Sequence, residues 1–153
     1  MDMISLKTPV GELTIFAEAK NITALCWGRG ADAPRQSENA ALELARRLLV
    51  EYFETGHDQF NKLSFDPHGT PFQKSVWGEM SKIKAGKTKS YGEISTILSS
   101  GPRAVGGACG ANPIPILIPC HRIINADGSQ GYYSGGDGPY TKKLLLELER
   151  SSV

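Results

Sequence analysis

The sequence lacks the features that place a protein in a membrane or outside the cell. Within its 153 residues there is no apolar run of the ~18 residues that a membrane span needs. Its first residues, MDMISLKTPVGEL, contain no basic stretch followed by an apolar one. We therefore expect no export signal, no membrane partner, and a cytoplasmic location, or a nuclear one in a eukaryote.

Cysteine is scarce as well, with only three residues, Cys26, Cys109 and Cys120. A small odd number without an export signal favours reduced thiols over a disulfide framework. Cys26 has no other cysteine and no histidine near it in sequence, and no CxxC pair occurs anywhere. We therefore predict no structural metal and no cofactor.

The composition that remains is typical of a globular protein. Hydrophobic residues make up 40% of the chain and charged residues 22%, which excludes extended disorder and a coiled coil. The net charge is +1, but residues 71–125 carry seven Lys and Arg against two Asp and Glu, a local charge of +5. Such a segment attracts an anionic partner such as nucleic acid, although a solvated helix face has the same composition.

The first part of the chain has the pattern of a sheet followed by a helix. Alternating apolar residues predict three antiparallel strands over residues 4–27, with breaks at residues 9–11 and 20–21. Residues 38–56 show helical spacing and end at a glycine. We predict an N-terminal α/β lobe with its linker over residues 1–66.

The rest of the chain has the pattern of short helices. Thr70 precedes a proline suited to a first helical turn, and Ser90 stands three residues before Glu93, the spacing of a capping box. The helix after Ser90 and a helix of very small residues over 103–110 suggest a helix-turn-helix. The predicted fold class is α+β, with a mostly helical, winged-helix-like C-terminal lobe over residues 67–153.

The segment PIPILIP, residues 113–119, ends at the most reactive group in the sequence. Three prolines in seven positions exclude a helix, so we predict an extended, buried segment. It delivers Cys120, which His121 and Arg122 follow directly. Nearby cations stabilise a thiolate, the nucleophilic form of cysteine. These residues predict a reactive cysteine, with His121 acting through a local turn or a water, while a buried structural thiol is the alternative.

Residues 103–124, RAVGGACGANPIPILIPCHRII, resemble the signature of the O6-alkylguanine-DNA alkyltransferases, the methylated-DNA–protein-cysteine methyltransferases. The resemblance extends upstream through GTPFQKSVW and SYGEIS, and downstream through GYYSGG and LLLELE. It implies single-turnover transfer of an alkyl group from O6 of guanine, and from O4 of thymine, to a cysteine. It also implies a monomer that docks from the minor groove on double-stranded DNA containing O6-alkylguanine and flips the damaged base.

The resemblance further implies roles for single residues. Cys120 is the alkyl acceptor, His121 and Glu149 complete a proton relay, and Tyr91 approaches the target base. The residues that we expect at the DNA are Arg103, Ala104, Gly106, Tyr91 and Arg122. The residues that we expect in the pocket and its hinge are Asn112, Tyr133, Ser134 and Pro119.

Two details of the DNA contact follow from the same resemblance. Arg103 fills the gap that the flipped nucleotide leaves, and the small residues after it let the helix backbone approach the DNA closely. Gly110 stands where many members of the family place a basic residue.

Two other functions stay open. One is a non-catalytic module that binds alkylated DNA, against which the presence of Cys120 argues. The other is a thiol redox or hydrolytic enzyme that uses Cys120 and His121.

Overall fold

The structure is a computed structural model that describes residues 1–28 and 33–151. Within these two ranges, no helix is both long enough and apolar enough to cross a membrane.

The N-terminal lobe is built on an antiparallel meander. Strands β1 (Asp2–Thr8), β2 (Gly11–Glu18) and β3 (Asn21–Trp27) pair in chain order. Their register aligns Ile4 with Ile15 and Ile15 with Leu25, all three of which are buried. The predicted strands are confirmed, and a short strand that was not predicted, β4 (Ser64–Phe65), adds to β3 in parallel.

One helix covers this sheet. Helix α1 (Ala40–Thr55) begins where the side chain of Asn39 accepts hydrogen bonds from two backbone N–H groups of the first turn. It ends at Gly56, whose φ of 76° lies in the left-handed region that glycine adopts without steric cost. Its buried leucines pack in the same core as the strands.

The C-terminal lobe contains four helices, α2 (Pro71–Met80), α3 (Tyr91–Ile97), α4 (Pro102–Gly110) and α5 (Pro139–Arg150). Both predicted caps are present, since Thr70 and Ser90 each form a capping box. Helices α3 and α4 are the predicted helix-turn-helix pair, and the buried indole of Trp77 on α2 donates a hydrogen bond to the carbonyl of Ala108 on α4. A small parallel sheet of β5 (Lys89–Ser90) and β6 (Ile123–Ile124) completes the confirmed α+β fold.

The segment of residues 113–119 is buried as predicted, but it is not extended. The N–H groups of Leu117 and Ile118 donate hydrogen bonds within the segment, to the carbonyls of Pro115 and Ile114. Three prolines remove donors, and two of the four remaining N–H groups close a compact turn. A single 3₁₀ turn, Cys120–Arg122, follows.

Candidate active site and nucleic-acid interface

A buried carboxylate organises the site. Glu149 on α5 is 1% exposed, and its Oε2 lies 2.6 Å from Nε2 of His121. The hydroxyl of Tyr52 on α1 donates to the same oxygen at 2.6 Å, and Arg122 donates from Nε and Nη2 at 2.9 Å each. The predicted pairing of His121 with Glu149 is present in the geometry, with Tyr52 and Arg122 as further donors.

This arrangement sets the protonation of both partners. Burial acts to raise the pKa of Glu149, but His121 and Arg122 beside it bring that pKa down to about 2. Burial lowers the pKa of His121 although the charge of Glu149 opposes it, and this favours the neutral imidazole. A neutral ring that donates from Nε2 to a carboxylate leaves a lone pair on Nδ1. This Nδ1 is buried and has no hydrogen-bond partner among the described residues, so it is free to accept a proton.

The environment of Cys120 disfavours the thiolate form of its side chain. Burial raises the pKa of Cys120, while a hydrogen bond with the Asn112 side chain and the charge of Lys142 act in the opposite direction. Its backbone N–H donates to the carbonyl of Ile118 at 2.8 Å. The thiol therefore needs a base to become the nucleophile at neutral pH.

Lys142 is a functional candidate that the sequence interpretation missed. It is fully buried on α5, and its Nζ donates to the carbonyls of Ile123 and Tyr132 at 2.6 and 3.3 Å. Lys142 stands three residues before Leu145 and seven before Glu149, so helical spacing places it on the same face as both. This spacing is the feature of the sequence from which its burial could have been predicted. A lysine on the apolar stripe of a helix marks a buried cation.

A cavity of about 320 Å³ opens beside Cys120. It is lined from both lobes, by strand β3, by the end of α4, by Asn112 and by residues 133–135. These three belong to residues 132–138, a segment that we call the lid. Cys120 lines the cavity together with Asn112, Tyr133 and Ser134, three of the residues that we expect in the pocket and its hinge. The hydroxyl of Tyr133 is buried and has no partner within the described ranges.

Asn112 connects the end of α4 to the cysteine turn. Its amide nitrogen donates to the carbonyl of Ile118 at 2.9 Å, and its side-chain oxygen accepts from the N–H of Ile114 at 3.0 Å. The placement agrees with a hinge between α4 and Cys120.

Tyr91 and Cys109 lie with Cys120 at a smaller cavity of about 30 Å³. Burial, and then the proximity of the two cysteines, raises the pKa of Tyr91 to about 12, so its phenol stays a hydrogen-bond donor. Cys109, which no prediction assigned to the pocket, also lines the larger cavity.

Helix α4 presents an exposed stripe of small residues. Arg103, Ala104, Gly107 and Gly110 are exposed and spaced for one helix face. A Cβ built at Gly106, Gly107 or Gly110 meets no atom within 4 Å, so packing inside the described chain does not require glycine there. Glycine costs a helix interior roughly 0.5–1 kcal/mol relative to alanine, so the stability of the helix does not explain these glycines either.

Two predicted site residues lie elsewhere. Arg122 is 2% exposed, and besides Glu149 it donates to the carbonyl of Ile83 and to Asp58, both at 2.6 Å. The predicted DNA contact of Arg122 is therefore wrong, because a buried guanidinium held by carboxylates cannot reach a phosphate. Pro119 lines a separate cavity of about 590 Å³ behind the relay and lines neither cavity at Cys120.

Clusters of three or more His, Cys, Asp or Glu side chains arranged to hold a metal ion do not occur in residues 1–28 and 33–151.

Comparison with known proteins agrees with this geometry. Residues 3–67 match the family described as 6-O-methylguanine DNA methyltransferase, ribonuclease-like domain, and residues 71–151 match its DNA binding domain. The chain belongs to this family. The family predicted from the sequence is thereby confirmed.

Relatives match over nearly the whole chain. The methylated-DNA–protein-cysteine methyltransferase of Haemophilus influenzae is 34% identical, over 94% of this chain and 83% of its own length. The constitutive methylated-DNA–protein-cysteine methyltransferase of Bacillus subtilis is 35% identical, over 95% and 93%. The crystal structure of Mycobacterium tuberculosis OGT in complex with DNA superposes with a TM-score of 0.83 and 36% identity, covering 100% of this chain and 95% of that one.

Proposed function

We propose that this chain repairs DNA by accepting an alkyl group from O6 of guanine on the sulfur of Cys120, as a methylated-DNA–protein-cysteine methyltransferase. The observation that carries the proposal is the joint position of Cys120, at a cavity large enough for a base, and of the His121–Glu149 pair beside it in the chain. Family membership and the DNA complex of a relative support the same activity.

The proposed reaction is an in-line displacement. His121 takes the proton of Cys120 at Nδ1, through a water molecule, while Glu149 holds the ring and balances its positive charge. The thiolate sulfur forms a bond to the alkyl carbon as the carbon–oxygen bond breaks and the electron pair leaves with guanine. Tyr91 and Tyr133, which both line the smaller cavity at Cys120, donate hydrogen bonds to the charge that develops on the leaving base.

The product determines the number of turnovers. A thioether carbon–sulfur bond does not reverse under the action of acid–base groups such as His121, so each molecule reacts once. The displacement transfers an electron pair without net redox change, and it calls for no cofactor.

The proposal includes extrusion of the base from the minor-groove side. An alkyl carbon inside a duplex cannot reach Cys120 unless the nucleotide is flipped, at a cost of a few kcal/mol. Arg103, which is exposed at the start of α4, fills the vacated space, and the open space around the glycines after it suits a close approach to sugar and phosphate. Transfer from O4 of thymine uses the same pocket.

We place the division between the two lobes at residues 66 and 67, and we expect the chain to act as a monomer on double-stranded DNA. Its working location is the cytoplasm, or the nucleus in a eukaryote.

The test is intact-protein mass after mixing with a duplex that contains O6-methylguanine. Wild type should gain one methyl group on the peptide that contains Cys120, and Cys120→Ser should gain none while still binding the duplex. Cys26→Ser and Cys109→Ser are the matched thiol controls, and both should accept the methyl group.

Other outcomes identify the alternatives. Tight binding of damaged duplex without any mass change in wild type supports a lesion-binding module. Multiple turnover on an ester, peptide or disulfide supports a thiol enzyme. A parallel duplex with O4-methylthymine tests the second lesion.

A further inference from the structure

Trp27, at the end of β3 in the N-terminal lobe, lies directly against the lid. Its ring centroid is 6.3 Å from that of Tyr133, with the two planes at 85°. A Cβ built at Gly135 would stand 2.5 Å from Cζ3 of Trp27, and one built at Gly136 would stand 2.8 Å from its Nε1. The indole is therefore the nearest obstacle to a side chain at position 135, where the Tyr133 ring follows at 3.0 Å. At position 136 it shares that role with the Thr141 hydroxyl, which would lie 2.6 Å from the added Cβ.

The indole is fixed from its own lobe. Its Nε1 donates a hydrogen bond to the carbonyl of Val10 at 3.0 Å. Val10 lies in the turn between β1 and β2, where the Thr8 hydroxyl accepts from the N–H of Val10 and donates to the carbonyl of Gly11 at 2.7 Å. The indole contacts the turn between β1 and β2 on one side and the lid on the other. Its position follows that of the sheet, and the lid packs against it.

The surface that Trp27 supports belongs to the reaction cavity. Trp27, Tyr133, Ser134 and Gly135 line the same 320 Å³ space as Cys120. A shift of the lid away from the indole would move Tyr133 relative to the sulfur.

We propose that Trp27 is a positioning residue for alkyl transfer: it holds the lid at the distance from Cys120 that a bound base requires. The N-terminal sheet thereby has a role at the site, and glycine at position 135 is needed because the indole leaves no room for a side chain. The inference rests on the proposed function, since it concerns the geometry of that same transfer.

The test is a suppression experiment on free O6-benzylguanine, a substrate that needs no DNA. The rate of single-turnover alkylation is measured against substrate concentration for wild type, Gly135→Ala, Trp27→Leu and the double variant. Gly78→Ala is the control, because Gly78 on α2 is exposed and an added Cβ there meets nothing within 4 Å.

Gly135→Ala should slow transfer on the order of a hundredfold, as expected for a displacement of about 1 Å at a reacting group. Trp27→Leu should also slow it. The double variant should transfer at close to the rate of Trp27→Leu alone, because the two nearest atoms, at 2.5 and 2.6 Å, belong to the indole and only the contact with Tyr133 at 3.0 Å remains. Gly78→Ala should match wild type. If the effects of the two substitutions multiply, the indole does not position the lid and the inference is wrong.

A second reagent separates positioning from folding. Iodoacetamide alkylates the thiolate of Cys120 without any nucleobase bound in the cavity. The rate of this alkylation, followed by the mass of the modified peptide, should therefore be the same in wild type, the two single variants and the double variant. Loss of iodoacetamide reactivity in step with transfer contradicts the inference, since it indicates general damage to the site. Trp27→Phe keeps an aromatic ring and serves as the second background if Trp27→Leu does not fold.

The result also distinguishes this inference from the proposed function. A wild type that accepts no benzyl group defeats the function itself, whereas transfer by wild type with multiplying effects defeats only the role of Trp27.

Discussion

Glu149 is the residue on which the proposed chemistry depends, because its environment keeps it charged while buried. A carboxylate taken out of water is costly unless hydrogen bonds replace its hydration. Here Tyr52, His121 and Arg122 supply four donors at 2.6 to 2.9 Å. The same carboxylate accepts from Nε2 of His121 and so keeps the proton on that nitrogen. Glu149 therefore both stabilises the buried cluster and leaves Nδ1 of His121 available as a base.

Glu149→Gln should therefore lose both properties. Removing one partner of a buried ion pair costs about 3–5 kcal/mol, and the amide no longer selects the tautomer with a lone pair on Nδ1. We expect a lower midpoint in chemical denaturation and a transfer rate reduced by more than tenfold, on the scale of general-base catalysis. Glu147→Gln, at an exposed position of the same helix, is the control and should change neither quantity.

The lowered pKa of Glu149 also predicts the response to acid. Its folded pKa of about 2 lies below the ordinary value of 4.5, so the stabilisation is complete above about pH 5 and is lost as the pH falls towards 2. Denaturation midpoints measured across that range should fall more steeply for wild type than for Glu149→Gln. Parallel curves would show that the carboxylate does not contribute to acid unfolding.

The charge of Lys142 should affect how the transfer rate depends on pH, because it lowers the pKa of the Cys120 thiol. Because burial raises the pKa of Cys120, transfer to free O6-benzylguanine should accelerate as the pH rises above neutral, by up to about tenfold per unit while the thiol stays mostly protonated. Lys142→Met keeps the side-chain length but removes a charge that favours the thiolate, so its rate profile should move to higher pH. Lys143→Met, an exposed neighbour, should keep the wild-type profile. An unshifted profile for Lys142→Met would limit Lys142 to a structural role.

Among the elements, α4 is the one whose sequence is least explained by the fold itself. Its small residues weaken a helix, and the open space around its glycines shows that the core does not demand them. Since packing does not require these glycines, the loss of helix stability in α4 is best explained by a contact that its exposed face makes. This supports α4 as the part of the chain that approaches DNA.

Gly107→Ala tests that explanation. The substitution should raise the free energy of unfolding by about 0.5–1 kcal/mol, because alanine restricts the unfolded chain and favours the helix. It should at the same time weaken duplex binding, since a methyl group would then face the sugar-phosphate backbone. Gly78→Ala should give the same stabilisation with unchanged DNA binding. If both variants bind DNA like wild type, α4 does not make the close contact.

Arg103→Ala tests the N-terminal end of the same helix. It should slow repair in duplex DNA much more than transfer from free O6-benzylguanine, because only the duplex requires extrusion of the base. Lys74→Ala, an exposed cation on α2, is the control for the loss of one charge. An equal loss of rate on both substrates would contradict the role of Arg103 in extrusion.

Local signals explain which elements could be predicted from sequence. Thr70, Ser90 and Gly56 mark helix ends through contacts with residues three or four positions away, and the structure has those ends where the signals stand. The turn of residues 113–119 and strand β4 were not predictable in this way. Both depend on pairing choices among several backbone partners, which only the assembled core decides.

At the scale of the whole molecule, the two lobes share the buried ion cluster. Tyr52 and Asp58 from the N-terminal lobe contact Glu149 and Arg122 from the C-terminal lobe, and Tyr52 and Glu149 are 97 positions apart in sequence. No periodicity in the sequence indicates such a contact, so the burial of Arg122 could not be predicted. The burial of Arg122 also removes one of the seven cations of residues 71–125 from the surface, so the local charge of +5 overstates what DNA meets.

This distribution of charge leads to a prediction about salt. Each phosphate neutralised contributes about −0.9 to the slope of log K against log salt concentration, and the few exposed cations near α4 should give a shallow slope for any duplex sequence. Gly110→Arg places a cation on the exposed face of α4, where an added side chain has open space, and should tighten binding and steepen the slope by about 0.9.

Gly78→Arg is the matched control, because it adds the same charge at an exposed glycine of α2 that also has open space around it. A long-range effect of net charge would strengthen binding equally in both variants, whereas a direct phosphate contact would appear in Gly110→Arg alone. The rate of transfer to free O6-benzylguanine should be the same in both variants and in wild type, since neither position changes the acid–base groups at Cys120. Equal slopes for the two variants would place the DNA on a face other than that of α4.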